Sequence, residues 1–394
     1  MGTFDNTTQK TFQATAELPV PSFKRIKLVI ANANTSARNI GGASIAALAN
    51  KTDLNGASAT HVKVTFGGAD TGVVPAASSS LRRAFLISDW IDIASLPRDD
   101  GGTLALLLSR IYESTSGTIN VLGNGTSDNY ANWATRTDGN LWAMRYNDGN
   151  CCQGTGTPAN FSSTTARIQC GIAGFIFETA NGEKVCTIAG FGDSITEGRG
   201  TYINEGWGLP ACDLLHAANP SIYFSWCNLG WSGQVMSNVD NNQLDAFSAG
   251  LLPNLCFFPN GSPNDASGDN NISDAEVSGM LTRRDNMKTR CLSNGVHFVV
   301  WTWLPTNPTV AGFDWGATDS KRVAHNAATL ADGIASGYTT ADFSAALSGV
   351  TDGDGQVNML VGSTTDNIHP NDVGNATLAA LAAVAAPLAL ARVA

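Results

Sequence analysis

The chain has 394 residues, enough for two domains, and 43% of them are apolar, enough for a buried core. Lys and Arg number 23 against 33 Asp and Glu, a net charge of −10, so no nucleic-acid partner is expected, because phosphate binding needs clustered cations. Only 14% of residues are charged while 41 are glycine, which fits a β-rich or loop-rich protein working outside the cytosol or on a virion.

From the N-terminus, MGTFDNTTQK lacks the basic segment and apolar run of a signal peptide, and none is expected there. Residues 1–184 then alternate short β-like runs with turn-rich stretches. The runs are FKRIKLVIANAN, HVKVTF, RRAFLISDWIDI, TLALLLSRIY, NLWAMRYND and IQCGIAGFIFET. GGASIAALANKT reads as a short helix or a further strand. Several strands without a helical period predict an antiparallel β-sandwich or jelly-roll-like domain, with a carbohydrate-binding or accessory role. The basic pairs Arg82-Arg83 and Arg283-Arg284 read as solvated faces or strand ends.

Eight cysteines carry no C-x-x-C pair and no histidine at zinc spacing, so no metal is expected. Cys212, Cys227, Cys256 and Cys291 sit in apolar runs and read as buried thiols. Cys151, Cys152, Cys170 and Cys186 are the ones able to form bridges in a secreted protein.

Over residues 185–394 the pattern becomes strand, loop, helix, repeated. KVCTIAGF, SIYFSWCNLG, NLCFFP and VHFVVWTWLP read as strands, and TTADFSAAL as a weak one. GWGLPACDLLHAAN, NVDNNQLDAFSAGLL and SKRVAHNAATLADGIAS read as helices. A longer helix opens on Ser273, with Glu276 completing a capping box, and closes at Gly295. TDGDGQV, residues 351–357, alternates Asp352, Asp354 and Gln356 like half a calcium loop but lacks the later Glu, and a glycine-rich turn is expected. A final Ala/Leu-rich helix, interrupted by Pro387, reads as packed rather than membrane-spanning, since no run of 18 apolar residues occurs. Alternating βα units predict a parallel sheet covered by helices, with a site beyond the carboxyl ends of its strands.

Chemistry-bearing residues fall at those ends. Gly192-Asp193-Ser194 follows the first strand and Trp231-Ser232-Gly233 the second. Ser262-Pro263-Asn264-Asp265 follows the third, and Asp366-Asn367-Ile368-His369-Pro370 precedes the last helix. A serine hydroxyl attacks a carbonyl only when a base removes its proton, and a carboxylate must orient that base. Ser194, His369 and Asp366 supply this set. Backbone N–H groups of Ser194 and Gly233, with the Asn264 amide, offer donors for an oxyanion. Among the other histidines, only His216 also has a carboxylate three residues earlier, Asp213, and that pair lies within a helix.

These blocks resemble the GDSL/SGNH hydrolase superfamily, whose four signature residues map onto Ser194, Gly233, Asn264 and His369. Asp366 completes the triad in a D-x-x-H-P match. The resemblance covers about residues 185–394 and implies a flavodoxin-like three-layer α/β/α domain with serine esterase or lipase activity and no cofactor. Residues 1–184 resemble no family. One departure stands in the third block, usually G-x-N-D, where this chain has Ser262 at the first position and Gly261 one residue early. Glu197, Arg199 and Trp231 are candidates for the substrate pocket. The substrate class expected is a small ester or acylated glycan, with a carbohydrate O-acetyl ester foremost. The alternatives are a lipase or thioesterase on longer acyl chains, or a carbohydrate-binding or virion-attachment protein with an accessory hydrolase domain. The sequence carries no signal for oligomeric state.

Overall fold

The structure is a computed structural model. It describes residues 2–5, 10–51, 59–79, 82–114, 118–121, 142–148, 171–198, 206–266, 268–310 and 312–391. Arg199, Cys151, Cys152 and Cys170 therefore lie outside the described residues. The chain divides into two compact units, Met1–Val185 with Ser221–Ser225, and Cys186–Pro220 with Trp226–Ala394.

In chain order the first unit carries β1 (Gly2–Asp5), β2 (Lys10–Glu17), β3 (Phe23–Asn32), β4 (Arg38–Ala47), β5 (Val62–Lys63) and β6 (Gly72–Val74). There follow β7 (Ala84–Ile87), β8 (Ile91–Asp92), β9 (Leu106–Glu113), β10 (Thr118–Val121), β11 (Trp142–Asp148) and β12 (Ile172–Thr179). One antiparallel sheet runs β11-β2-β9-β4-β5 with β6 also on β4. A second runs β12-β3-β7 with β8 also on β3. Phe12, Ile45, Leu107 and Ile111 from the first sheet share one core with Ile26, Leu28 and Ile30 from the second, as a β-sandwich requires. GGASIAALANKT belongs mostly to β4, so of the two readings the strand holds.

β2 carries no prediction from the sequence, and its pattern explains why. Phe12 and Ala14 enter the shared core, while Thr11, Gln13, Thr15 and Glu17 point to the other side and are also buried. Glu17 is held there by Lys51 at 2.8 Å and by Arg98, and Gln13 accepts from Arg110 at 3.0 Å. A polar second face satisfied by ion pairs looks solvent-facing in the sequence.

The second unit is built on β13 (Lys184–Gly192), β14 (Ile222–Gly230), β15 (Leu255–Pro259), β16 (His297–Trp301) and β17 (Thr339–Ala341), in the order β14-β13-β15-β16-β17. The pairs β13–β15, β15–β16 and β16–β17 are parallel, with Ile188 opposite Leu255 and Leu255 opposite His297. Its helices are α1 (Ser194–Glu197), α2 (Gly208–Ala218), α3 (Met236–Ser248), α4 (Asp274–Ser293), α5 (Asp319–Ser336), α6 (Phe343–Leu347) and α7 (Asp372–Ala391). A hairpin of β18 (Ser348–Thr351) and β19 (Val357–Met359) precedes α7.

Successive strand residues point to opposite faces, and the aromatic contacts show both faces covered. Phe257 packs 5.2 Å from Trp207, which packs 5.2 Å from Phe343 of α6. Its neighbour Phe258 stacks 5.9 Å from Phe298, which meets Tyr338, two residues past α5, at 5.5 Å. The result is a mixed α/β unit with helices on both sides of a parallel sheet.

Several local expectations meet their physical causes here. Ser273 caps α4 through a reciprocal capping box with Glu276, and Gly295 lies just past its end at φ 65°. TTADFSAAL is a strand only as far as Ala341, because Asp342 then accepts from Ala345 N–H and caps α6. One arginine of each basic pair is buried: Arg83 directly before β7, at a strand end as expected, and Arg284, which is not solvated but bonds Asp285, Asp332 and Thr329. In 351–357, Asp352 Oδ1 accepts from the N–H groups of Asp354 and Gln356, forming a turn. The Gln356 side chain is buried, accepting from Trp315 N–H and donating to the Thr306 carbonyl. Cys186 is a free thiol, as are Cys212, Cys227, Cys256 and Cys291. By length and composition α7 could cross a membrane, and it continues through Pro387. Leu378, Ala379, Ala382 and Ala386 on one side of it are nonetheless buried.

Candidate active site

The first sheet strand to consider, β13, ends at Gly192, and the chain turns at once into α1. Asp193 is the N-cap, its Oδ1 accepting from Ile195 N–H at 2.9 Å. The turn leaves Ser194 at the carboxyl end of the strand, 4% exposed. Ser194 Oγ lies 2.7 Å from His369 Nε2, although 175 residues separate them. His369 Nδ1 lies 2.5 Å from Asp366 Oδ2. Asp366 Oδ1 also accepts from the backbone N–H groups of His369 at 2.7 Å and Ile368 at 3.1 Å. Burial opposes ionisation of Asp366, but these hydrogen bonds outweigh it and hold its carboxyl well below the usual carboxylate range. An ionised Asp366 fixes the proton on Nδ1 and leaves Nε2 to accept from the Ser194 hydroxyl.

The 366–370 loop is pinned by residues the sequence reading did not single out. Asn367 adopts φ 68°, a left-handed conformation that asparagine tolerates better than most residues. Asn307 donates to it twice, backbone N–H to the Asn367 carbonyl at 2.9 Å and Nδ2 to Oδ1 at 2.8 Å. Asn367 Nδ2 donates to Thr309 Oγ1 at 3.0 Å.

The loop after β14 is tied to the turn that carries Ser194. Trp231 N–H donates to the Gly192 carbonyl at 3.1 Å, and Ser232 N–H to Glu197 Oε2 at 2.8 Å. Gly230 approaches so closely that a Cβ there would lie 2.4 Å from Glu197 N. Glu197 therefore braces this loop. Trp231 is 1% exposed, so its ring packs inside the unit and is not a stacking platform for a substrate. Gly233 has φ 79° and open space where a Cβ would sit, and its N–H makes no hydrogen bond among the described residues.

Asn264 occupies a short turn (Pro263–Ala266) after β15. Its Nδ2 donates to the Gln234 carbonyl at 3.0 Å and to Ser262 Oγ at 3.1 Å, so both amide hydrogens have acceptors. Asp265 accepts from Met236 N–H at 2.8 Å, at the start of α3. Burial pushes its carboxyl up to about 7, assisted by the negative charges of Asp193 and Glu276. Burial also raises Asp193, whose carboxyl accepts from Ser262 Oγ.

His369 is the histidine brought to Ser194. His325 is buried, with Nε2 2.8 Å from the Asn260 carbonyl, and burial lowers its pKa. His61 Nδ1 lies 3.1 Å from Ser44 Oγ in the first unit, while His216 and Asp213 lie on α2. No cluster of three or more His, Cys, Asp or Glu able to hold a metal occurs among the described residues.

No protein-family model matches the chain, and no curated protein does. Solved structures do resemble it. A GDSL-like lipase from Bacteroides thetaiotaomicron is 18% identical with a TM-score of 0.38, over 53% of this chain and 90% of that one. A lipase/acylhydrolase from Enterococcus faecalis is 21% identical with a TM-score of 0.36, over 50% of this chain and 94% of that one. An acetyl xylan esterase is 14% identical with a TM-score of 0.38, over 50% of this chain and 96% of that one. Each likeness spans about half of this chain, and the chemistry of the chain rests on its own side chains.

Proposed function

We propose that the chain is a serine esterase of the SGNH type, with residues 185–394 as its catalytic domain. One observation carries the reading: the unbroken sequence Ser194 Oγ, His369 Nε2, His369 Nδ1 and Asp366 Oδ2, with steps of 2.7 and 2.5 Å. As Ser194 Oγ attacks an ester carbonyl, its proton passes to His369 Nε2, and the carbonyl oxygen becomes an oxyanion. The tetrahedral adduct collapses, the alcohol leaves with the proton from Nε2, and an acyl-enzyme remains. Water then gives a proton to Nε2 and attacks the acyl carbon. Ser194 leaves with that proton, and the carboxylic acid is released.

Asp366 stays ionised throughout and stabilises the imidazolium of each step. Ser194 and Gly233 N–H groups receive the oxyanion, joined by Asn264 once its amide exchanges the Gln234 carbonyl for the stronger, charged acceptor. The proposed substrate is a short-chain ester, with O-acetyl groups on a carbohydrate as the class to assay first. The appended β-sandwich and a chain rich in Trp and Asn motivate that choice.

Hydrolysis of p-nitrophenyl acetate by the wild type and by Ser194→Ala tests the core claim. A loss of about 10³-fold or more is expected on removing the nucleophile, and equal rates would refute the assignment. A series of longer p-nitrophenyl esters separates the substrate classes: a deacetylase loses activity steeply with acyl length, whereas a lipase does not.

A further inference from the structure

Ser262 stands where resembling hydrolases usually carry glycine, and it is fully buried. A hydroxyl has one hydrogen to donate and two lone pairs. Ser262 Oγ donates to Asp193 Oδ2 at 2.5 Å, with the Gln234 carbonyl as a second acceptor at 3.0 Å. It accepts from Asn264 Nδ2 at 3.1 Å and from Asn264 N–H at 3.3 Å. This single oxygen therefore joins the residue before the nucleophile, the residue after Gly233, and Asn264. Glycine could make none of these bonds.

We infer that Ser262 is a positioning residue of the oxyanion site, holding the Asn264 amide ready for the charge that develops when Ser194 attacks. The inference rests on the serine-esterase reading of Ser194 and His369. Asn264 spends one amide hydrogen on the neutral Gln234 carbonyl and the other on Ser262. Hydrogen bonds to an ionised acceptor are about twice as strong as neutral ones, so the first hydrogen bond switches from the Gln234 carbonyl to the oxyanion. The second stays on Ser262 and fixes the plane of the amide while that happens. Asp193 in turn fixes the Ser262 hydroxyl. The benefit appears only in the transition state, so it acts on kcat rather than on KM.

The test uses the full chain and p-nitrophenyl acetate, with active sites counted by covalent labelling with a fluorophosphonate. Ser262→Ala is expected to lower kcat per labelled site by about 10- to 100-fold, the range for a misplaced oxyanion donor, with KM within about 3-fold. Asn264→Ala is expected to lose about 10²-fold or more. The double variant is expected to lose no more than Asn264→Ala alone, because Ser262 acts through Asn264. Ser262→Gly is the second variant should alanine fail to fold, with the same expected loss. An unchanged kcat per labelled site, a rise in KM alone, or losses that multiply in the double variant would each overturn the inference while leaving the esterase reading intact. A wild-type chain that neither hydrolyses the ester nor labels at Ser194 would overturn both.

Discussion

Asp265 gives a quantitative test of how the turn after β15 is held. Its carboxyl titrates near 7 in the folded chain against an ordinary value of 3.8, chiefly because it is buried. Below the lower value it is protonated whether the chain is folded or not, and the two states differ by nothing. As pH rises toward 7 the unfolded chain releases this proton and the folded chain keeps it, so folding is progressively disfavoured. Beyond the upper value the whole difference is present. At about 1.4 kcal/mol per pH unit of displacement, the interval amounts to about 4 kcal/mol. The carboxyl is only part-buried, and water on its open side screens the burial, so about half, ~2 kcal/mol, is expected.

Asp265→Asn removes the titration and keeps an acceptor for Met236 N–H. Urea unfolding followed by tryptophan fluorescence, between pH 4 and 8, should show the wild type losing ~2 kcal/mol relative to the variant as pH rises. Trp207, Trp226, Trp231, Trp301, Trp303 and Trp315 all report from the second unit. A difference that stays flat across the window would refute the reasoning. So would a wild type that gains on the variant with rising pH, which is the behaviour of a carboxyl with a depressed pKa.

Asp366→Asn should lower kcat by about 10³–10⁴-fold with a small effect on KM, because the imidazole loses its orienting charge. Since hydrogen bonds hold Asp366 ionised well below the usual range, the acid limb of log kcat/KM against pH should have a slope of one. A slope of two through pH 4 to 5 would show that Asp366 titrates there. Gly233→Ala meets no atom within 4 Å but must adopt φ 79°, so a stability loss of about 1–2 kcal/mol is expected from left-handed strain. Its kcat/KM should fall by about 10-fold or more as the methyl enters the substrate's approach. An unchanged kcat/KM in a folded variant would show that no substrate passes Gly233.

The sequence was most legible where a short-range rule sufficed. The Ser273–Glu276 box spans three residues and marked the start of α4, and Asp366 and His369 are likewise three apart. Order along the chain marked Ser194, Gly233 and Asn264, because each follows a strand that reads plainly as apolar. What stayed hidden depends on pairing over distance. Ser262 meets Asp193 across 69 residues, Asn307 meets Asn367 across 60, and Arg284 meets Asp332 across 48. No periodicity announces such partners, so Arg284 looked solvated and Asn307 was not singled out. β2 was missed for a related reason, since its second face is polar yet buried. Trp231 read as a candidate for the substrate pocket, and its burial favours packing instead.

His369 and Asp366 share one five-residue loop, whereas Ser194 comes from the opposite end of the unit's sequence. A disturbance of α7 or of the Asn307 tether thus displaces imidazole and carboxylate together and leaves the spacing between them intact. The three-part hydrogen-bond chain then has one soft coordinate, the gap between Nε2 and Oγ. Substitutions scattered through the C-terminal quarter of the chain should fall on a single curve relating activity to that gap, as settings of one dial.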